Sequence, residues 1–109
     1  MANLQNAYDV GDRLRLGNHS GNTATTAFKN SAGVDTDPTA ITLRLEKPDG
    51  TATTYTHNGT PALTRETTGR YYVDVDLDQS GVWAAELKGT GAIVALDQWQ
   101  FFVRSNLVG

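Results

Sequence analysis

From Ile41 to Glu46, apolar and polar residues trade places at every step. Ile41, Leu43 and Leu45 fall on one face and Thr42, Arg44 and Glu46 on the other, the period of a half-buried β-strand. Lys47-Pro48-Asp49-Gly50 stops the run: proline presets φ for the second turn position, and glycine takes the positive φ that follows. Thr51 to Thr56 resumes as a Thr- and Tyr-rich strand, which predicts a hairpin. Asn58-Gly59 is a second turn signal, followed by a weaker strand over Leu63 to Glu66. After Thr68-Gly69, the residues Tyr71, Val73, Val75 and Leu77 point one way and Tyr72, Asp74 and Asp76 the other. Asp78-Gln79-Ser80-Gly81 turns again. Val82 to Lys88 then sends Trp83, Ala85 and Leu87 inward, and Gly89-Thr90-Gly91 reads as a further turn. Ile93 to Arg104 is the last strand, with a bend or bulge expected near Asp97, where the apolar parity changes. Towards the start, Arg13 to Leu16 alternates, and Thr23 to Lys29 reads as a polar strand carrying Phe28 near its end. Nowhere do apolar residues recur at helical spacing for three turns.

Seven or eight short strands, set roughly 8–12 residues apart by turn chemistry, predict an all-β fold with antiparallel strands in two stacked sheets. A closed barrel is the alternative. Tyr71, Leu43, Leu45, Trp83, Phe101 and Val103 are enough large side chains to fill the layer between two sheets. Residues 1–109 are expected to make one domain, with residues 1–7 as an extended N-terminal arm and 105–109 as a C-terminal tail.

Composition narrows the function classes. The chain has 109 residues, 12 acidic against 9 basic side chains, a net charge of −3 and no cysteine. Without cysteine there is no disulfide scaffold, thiolate metal site or cysteine nucleophile. Without a basic stripe there is nothing to release counterions from nucleic acid. No apolar run approaches the roughly 20 residues of a membrane-spanning helix, and Met1 to Val10 lacks the basic start and apolar stretch of a secretion signal. Assembly in a reducing cytoplasm fits these features. No nucleic-acid or membrane partner, no cofactor and no enzymatic activity are expected.

The order Tyr8-Asp9-Val10-Gly11-Asp12, Asp37-Pro38-Thr39-Ala40-Ile41-Thr42-Leu43, Pro48-Asp49-Gly50-Thr51, Thr68-Gly69-Arg70-Tyr71, Gly81-Val82-Trp83 and Gly89-Thr90-Gly91 resembles small immunoglobulin-like domains of tailed-bacteriophage structural modules. It is similar also to bacterial immunoglobulin-like and fibronectin-III-like repeats. The resemblance runs from Tyr8 to Val103 and rests on the succession of motifs, since each alone is ordinary turn chemistry. Gly17-Asn18-His19-Ser20-Gly21-Asn22 departs from it by interrupting an early strand. What the resemblance implies is an immunoglobulin-like β-sandwich in a virion: a non-enzymatic structural protein on the capsid surface, bound to the major capsid protein or other virion proteins, with homo-oligomers possible. A head–tail connector or tail-associated protein and a host-glycan-binding module are the alternatives.

The candidate chemistry is sparse. Asp74, Asp76 and Asp78 recur at period 2, as a calcium site with help from Asp35 and Asp37 would require. An EF-hand loop, however, needs glycine and glutamate where Gln79 and Ala85 stand, and a solvated strand face that discourages edge pairing is the plainer reading. His19 and His57 read as exposed turn residues, too few for zinc. Ser20, Ser31, Ser80 and Ser105 have no nucleophile elbow, and Gly89-Thr90-Gly91 lacks the helix of a phosphate loop. Trp83 is assigned to the core, and Trp99 to the core or a subunit interface. Tyr72 is the aromatic expected to be exposed. Met1 to Ala7 is polar and cannot fold by itself, so it is expected to dock on a neighbour. Asn3, Leu4, Gln5, Tyr8, Tyr72, Phe102, Leu107 and Val108 are the interface candidates.

Overall fold

The computed structural model describes residues 7–20 and 26–105. Eight strands follow one another: β1 (Ala7–Asp9), β2 (Arg13–Gly17), β3 (Ala40–Glu46), β4 (Ala52–His57), β5 (Ala62–Thr67), β6 (Arg70–Asp76), β7 (Gly81–Thr90) and β8 (Ala95–Arg104). No helix occurs among the described residues. The strands form one hydrogen-bonded ladder in the order β1-β8-β7-β3-β4-β5-β6-β2. The all-β expectation holds.

The sheet is mixed where antiparallel pairing was expected throughout. β3·β4, β3·β7, β7·β8, β5·β6 and β2·β6 are antiparallel, but β1·β8 and β4·β5 are parallel. The second parallel pair has a local cause. After His57 the chain enters Asn58 with φ of 65°, and residues 58–61 complete a full turn, closed by the Thr56 N–H donating to the Pro61 carbonyl at 3.0 Å. Ala62 and Leu63 therefore start beside Thr56 and His57 and run in the same direction. β5 then leaves β4 and pairs with β6, with a bulge between Arg65 and Thr67.

The ladder curls until its two ends meet. β1 lies on the β8 edge and β2 on the β6 edge, yet only residues 10–12 join them. Four residue steps from Asp9 to Arg13 span at most about 14 Å, so both edges lie within that reach. Neighbouring amides make the point directly. The Val10 N–H donates to the Arg104 carbonyl at 3.0 Å, and the Gly11 N–H to the Leu77 carbonyl at 2.8 Å.

One apolar core fills the curl. Leu43, Leu87, Leu77, Trp83 and Val103 are fully buried and join Ile41, Leu45, Leu63, Tyr71, Val75 and Phe101 in a single cluster. Alternation assigned Ile41, Leu43, Leu45, Tyr71, Val75, Leu77, Trp83 and Leu87 to the interior, and they are there, whereas Val73, assigned with them, is only half-buried. Trp83 stacks on Phe101 at 5.9 Å and donates its indole N–H to the Gln79 carbonyl at 3.0 Å, as a buried tryptophan requires.

Two expectations near the C-terminal strands are corrected. Gly89 and Thr90 are not a turn; they extend β7, and the reversal falls on residues 91–94. A Cβ on Gly89 would meet the Pro38 ring at 2.6 Å, so glycine here lets the segment after Asp37 lie flat on β7. Nor is β8 bulged near Asp97: its register with β7 runs unbroken from Val103 to Ala95. The parity change is absorbed by leaving Leu96 54% exposed rather than by breaking the ladder. In the early segment, Thr23 to Thr25 lie outside the described residues. Thr26 to Asn30 is not a strand; it carries one isolated bridge, Lys29↔Asp35, with Phe28 buried.

Candidate interaction surface

The carboxylate row on β6 is answered by arginines on β2. Register sets Arg15 opposite Asp74 and Arg13 opposite Asp76. Arg15 makes a forked contact with Asp74 at 2.9 and 3.1 Å, and Arg13 reaches Asp76 at 2.9 Å. Hydrogen bonds from these arginines hold both carboxyls below the usual carboxylate range. Asp78, beyond the strand, accepts Lys47 at 3.0 and 3.1 Å. Asp35 pairs with Lys29 and Asp37 with Arg65. The five carboxylates weighed for calcium therefore each face a cation. Among the described residues, no three His, Asp or Glu side chains are grouped to hold a metal. Exposed pairs of this kind contribute little stability.

The sequence reading misplaces His57, and it puts His19 in a loop correctly but as an exposed residue. His57 is the last residue of β4, half-buried, edge-on to Tyr71 at 5.2 Å, with Nδ1 3.2 Å from the Leu63 carbonyl. His19 is half-buried, with Nε2 3.1 Å from the Arg15 carbonyl. Tyr72 is not the exposed aromatic either: the Arg15 guanidinium lies 3.9 Å from its ring centre, and it is half-buried. The cation that answers Asp74 thus also covers Tyr72, a favourable arrangement for a guanidinium on a ring face.

Of the interface candidates, Tyr8 packs edge-on against Phe101 at 5.8 Å and is half-buried. Phe102 is 49% exposed, and its register partner on β7, Val82, is 53% exposed. They form an adjacent apolar pair on the outer face, and Ala7 of β1 pairs with Phe102 from the other side. Trp99 is half-buried and packs against the core cluster. Asn3, Leu4, Gln5, Leu107 and Val108 lie outside the described residues, as do residues 1–6 of the expected arm and 106–109 of the expected tail.

Two constellations were not legible beforehand. Asn18 is fully buried: its amide nitrogen donates to the Gly69 carbonyl at 2.9 Å and the Thr26 carbonyl at 3.1 Å, and its oxygen accepts the Tyr71 N–H at 2.8 Å. Asp37 accepts the Gly69 N–H and the Tyr71 hydroxyl, both at 2.8 Å, and the Arg65 guanidinium at 3.1 Å. Burial works against the Asp37 charge, but the Gly69 N–H, Arg65 and Tyr71 outweigh it and hold the carboxyl low. Burial, reinforced by the same carboxylate, pushes the Tyr71 hydroxyl up to about 12. Both constellations pin loops to the start of β6. The two meet at Gly69 and Tyr71, which both engage.

The outer face of β3, β7 and β8 carries a shallow depression of about 500 Å³ lined by Arg44, Glu46, Ala84, Ala85, Glu86, Gln98, Trp99 and Gln100. No protein-family model, no curated protein and no solved structure matches the chain.

Proposed function

We propose that this chain is a non-enzymatic structural module of a tailed-phage virion, an immunoglobulin-like β-sandwich that attaches to the capsid surface by binding the major capsid protein. The sandwich reading takes β1, β8, β7, β3 and β4 as one layer and β6 and β2 as the other. β5 crosses between them, and Leu43, Leu87, Val75 and Leu16 lie within the core. A curled body pinned at both ends of its ladder is rigid, and rigidity lowers the entropy lost on docking.

The observation that carries the reading is the exposed Phe102–Val82 pair beside the short strand β1. Aromatic side chains with an apolar neighbour are common anchors of protein–protein contacts. Repeated by the symmetry of a shell, even a weak anchor gives firm attachment. The polar outer faces of β3 and β4 keep the rest of the surface solvated.

Cosedimentation with capsids stripped of accessory proteins tests this. The protein is expected to sediment with the particles at micromolar concentration. Phe102→Asp should weaken attachment by about 30-fold, the size of a lost anchor of roughly 2 kcal/mol, while melting temperature stays nearly unchanged because the ring faces solvent. Free protein in the supernatant at every concentration, or unaltered attachment of the variant, would refute the reading.

A further inference from the structure

β8 is covered along one side and only partly along the other. β7 pairs with it from Ala95 to Val103 without a break, whereas β1 reaches only Phe102 to Arg104. Among the described residues, no strand pairs with the far side of Ala95 to Phe101. One bond sets the direction of the main-chain groups there: the Arg104 carbonyl accepts the Val10 N–H, so it points away from β7. Main-chain groups alternate sides along an unbroken strand, and Leu96, Gln98 and Gln100 share the parity of Arg104. Their N–H and C=O groups therefore face the open side.

Natural sheet edges carry lysine, proline or a bulge that turns other strands away. Ala95 to Phe101 has none of these; its register is regular and its one charge is Asp97. The other end of the ladder differs, for β2 carries Arg13 and Arg15. The open stretch is symmetric about Gln98, with three residues to either side. Laid antiparallel against a copy of itself, it sets Gln98 opposite Gln98 of the partner subunit and Leu96 opposite Gln100 of the partner subunit. Asp97 falls opposite Trp99 of the partner subunit, so no like charges meet. Leu96, 54% exposed in the single chain, gains a cross-strand neighbour, and β1 is not displaced. The outward residues of the two copies exchange about six main-chain hydrogen bonds. A foreign strand would itself become the new edge, whereas two copies close each other's edge. We propose that two copies of this chain associate through β8, antiparallel and two-fold about Gln98, so that one sheet runs through both. This surface is the rim of the sheet, apart from the Phe102–Val82 pair on its outer face, and does not rest on the attachment reading.

Sedimentation velocity of the free full chain, without capsids, tests the proposal. Between about 10 μM and about 1 mM, the mass is expected to climb from one chain towards twice its 11.7 kDa. Gln98→Pro removes an N–H that the β7 ladder does not use and should hold the protein at the single-chain mass, with a melting temperature close to the parent's. Leu96→Lys adds the charge of a guarded edge at an exposed position and should weaken association at least about tenfold. A single cysteine reads the register, since the chain has none. Gln98→Cys should form an intermolecular disulfide under mild oxidant, because a two-fold pair brings the Cα atoms to about 5.5 Å, and Thr54→Cys on β4 should not. A single-chain mass at every concentration, a dimer that survives both Gln98→Pro and Leu96→Lys, or a disulfide at Thr54→Cys but not at Gln98→Cys would overturn the proposal. So would association that appears only after residues 1–6 are removed, which would assign the edge to the chain's own N-terminal segment. Because no capsid is present, any of these failures leaves the attachment reading untouched.

Discussion

Replacing Asn18 with alanine is expected to destabilise the fold by about 2–4 kcal/mol, the cost of leaving a buried amide and carbonyl without partners. Measured by thermal melting, this is a drop of roughly 10–25 °C for a domain of this size. The Tyr71 N–H has no water to turn to, because Asn18 is fully buried. The Gly69 carbonyl keeps the Phe28 N–H at 2.8 Å, so its loss is softened, while the Thr26 carbonyl loses the Asn18 amide. Gly17 shows how tight this corner is: its φ is 129°, and a Cβ there would sit 2.2 Å from the Tyr71 carbonyl oxygen. Asn18→Asp separates hydrogen bonding from shape. An aspartate would turn negative oxygen towards two carbonyls, so its carboxyl pKa should rise in the folded state. The stability of that variant should then improve as pH falls, opposite to the parent. A melting temperature within a few degrees of the parent for Asn18→Ala would show that the pin is dispensable.

Asp37 is expected to set the pH limits of stability. Its carboxyl is held below the unfolded value of about 3.9. The contribution is therefore complete above that value and is lost as pH falls through the lower folded one. Tyr71 works in the other direction. Its hydroxyl is raised from 10.0 to about 12, so its contribution is complete below 10 and lost as pH climbs towards 12. A single contact at 2.8 Å thus weakens at both extremes, by protonation of one partner and deprotonation of the other. Asp37→Ala should cost about 1–3 kcal/mol, towards the lower end because the side chain is 36% exposed and solvent screens part of the charge. It should also flatten the acid limb of a melting-temperature profile, and Tyr71→Phe the alkaline limb. Profiles that keep both slopes in both variants would place the titrating groups elsewhere.

The strands that could be read from sequence are those with one wet and one dry face. In β3, β6 and β7 alternation alone located the interior, because burial on one side imposes period 2 on the residues. Topology was less accessible. The parallel pairing of β4 with β5 involves only Thr56, His57, Ala62 and Leu63, too short a stretch to leave a pattern. In β8 the parity change at Leu96 resembles a bulge signal, but exposing one leucine costs less than unpairing a central ladder. The bulge that does occur lies between Arg65 and Thr67, where three polar residues in succession give parity nothing to register.

The exposure of the candidate interface residues was legible in part for the same reason. Phe102 stood out of phase with Phe101 and Val103 and is exposed accordingly. Tyr72 was out of phase too, yet Arg15 covers it from a strand far earlier in sequence, a partnership no local pattern records. Asn18 with Tyr71, and Asp37 with Gly69, are likewise contacts across 53 and 32 positions. The depression on the outer face depends on the register of three strands and becomes visible only when they are assembled.

The account turns on a ladder whose two ends are joined at Val10 and Gly11. Through-hydrogen-bond NMR couplings measure this without a mutation. The Val10 amide should couple to the Arg104 carbonyl carbon and the Gly11 amide to that of Leu77, both in the same molecule. Coupling at only one of the two amides, or at neither, would mean that the sheet stays open and that the curled body described here is wrong.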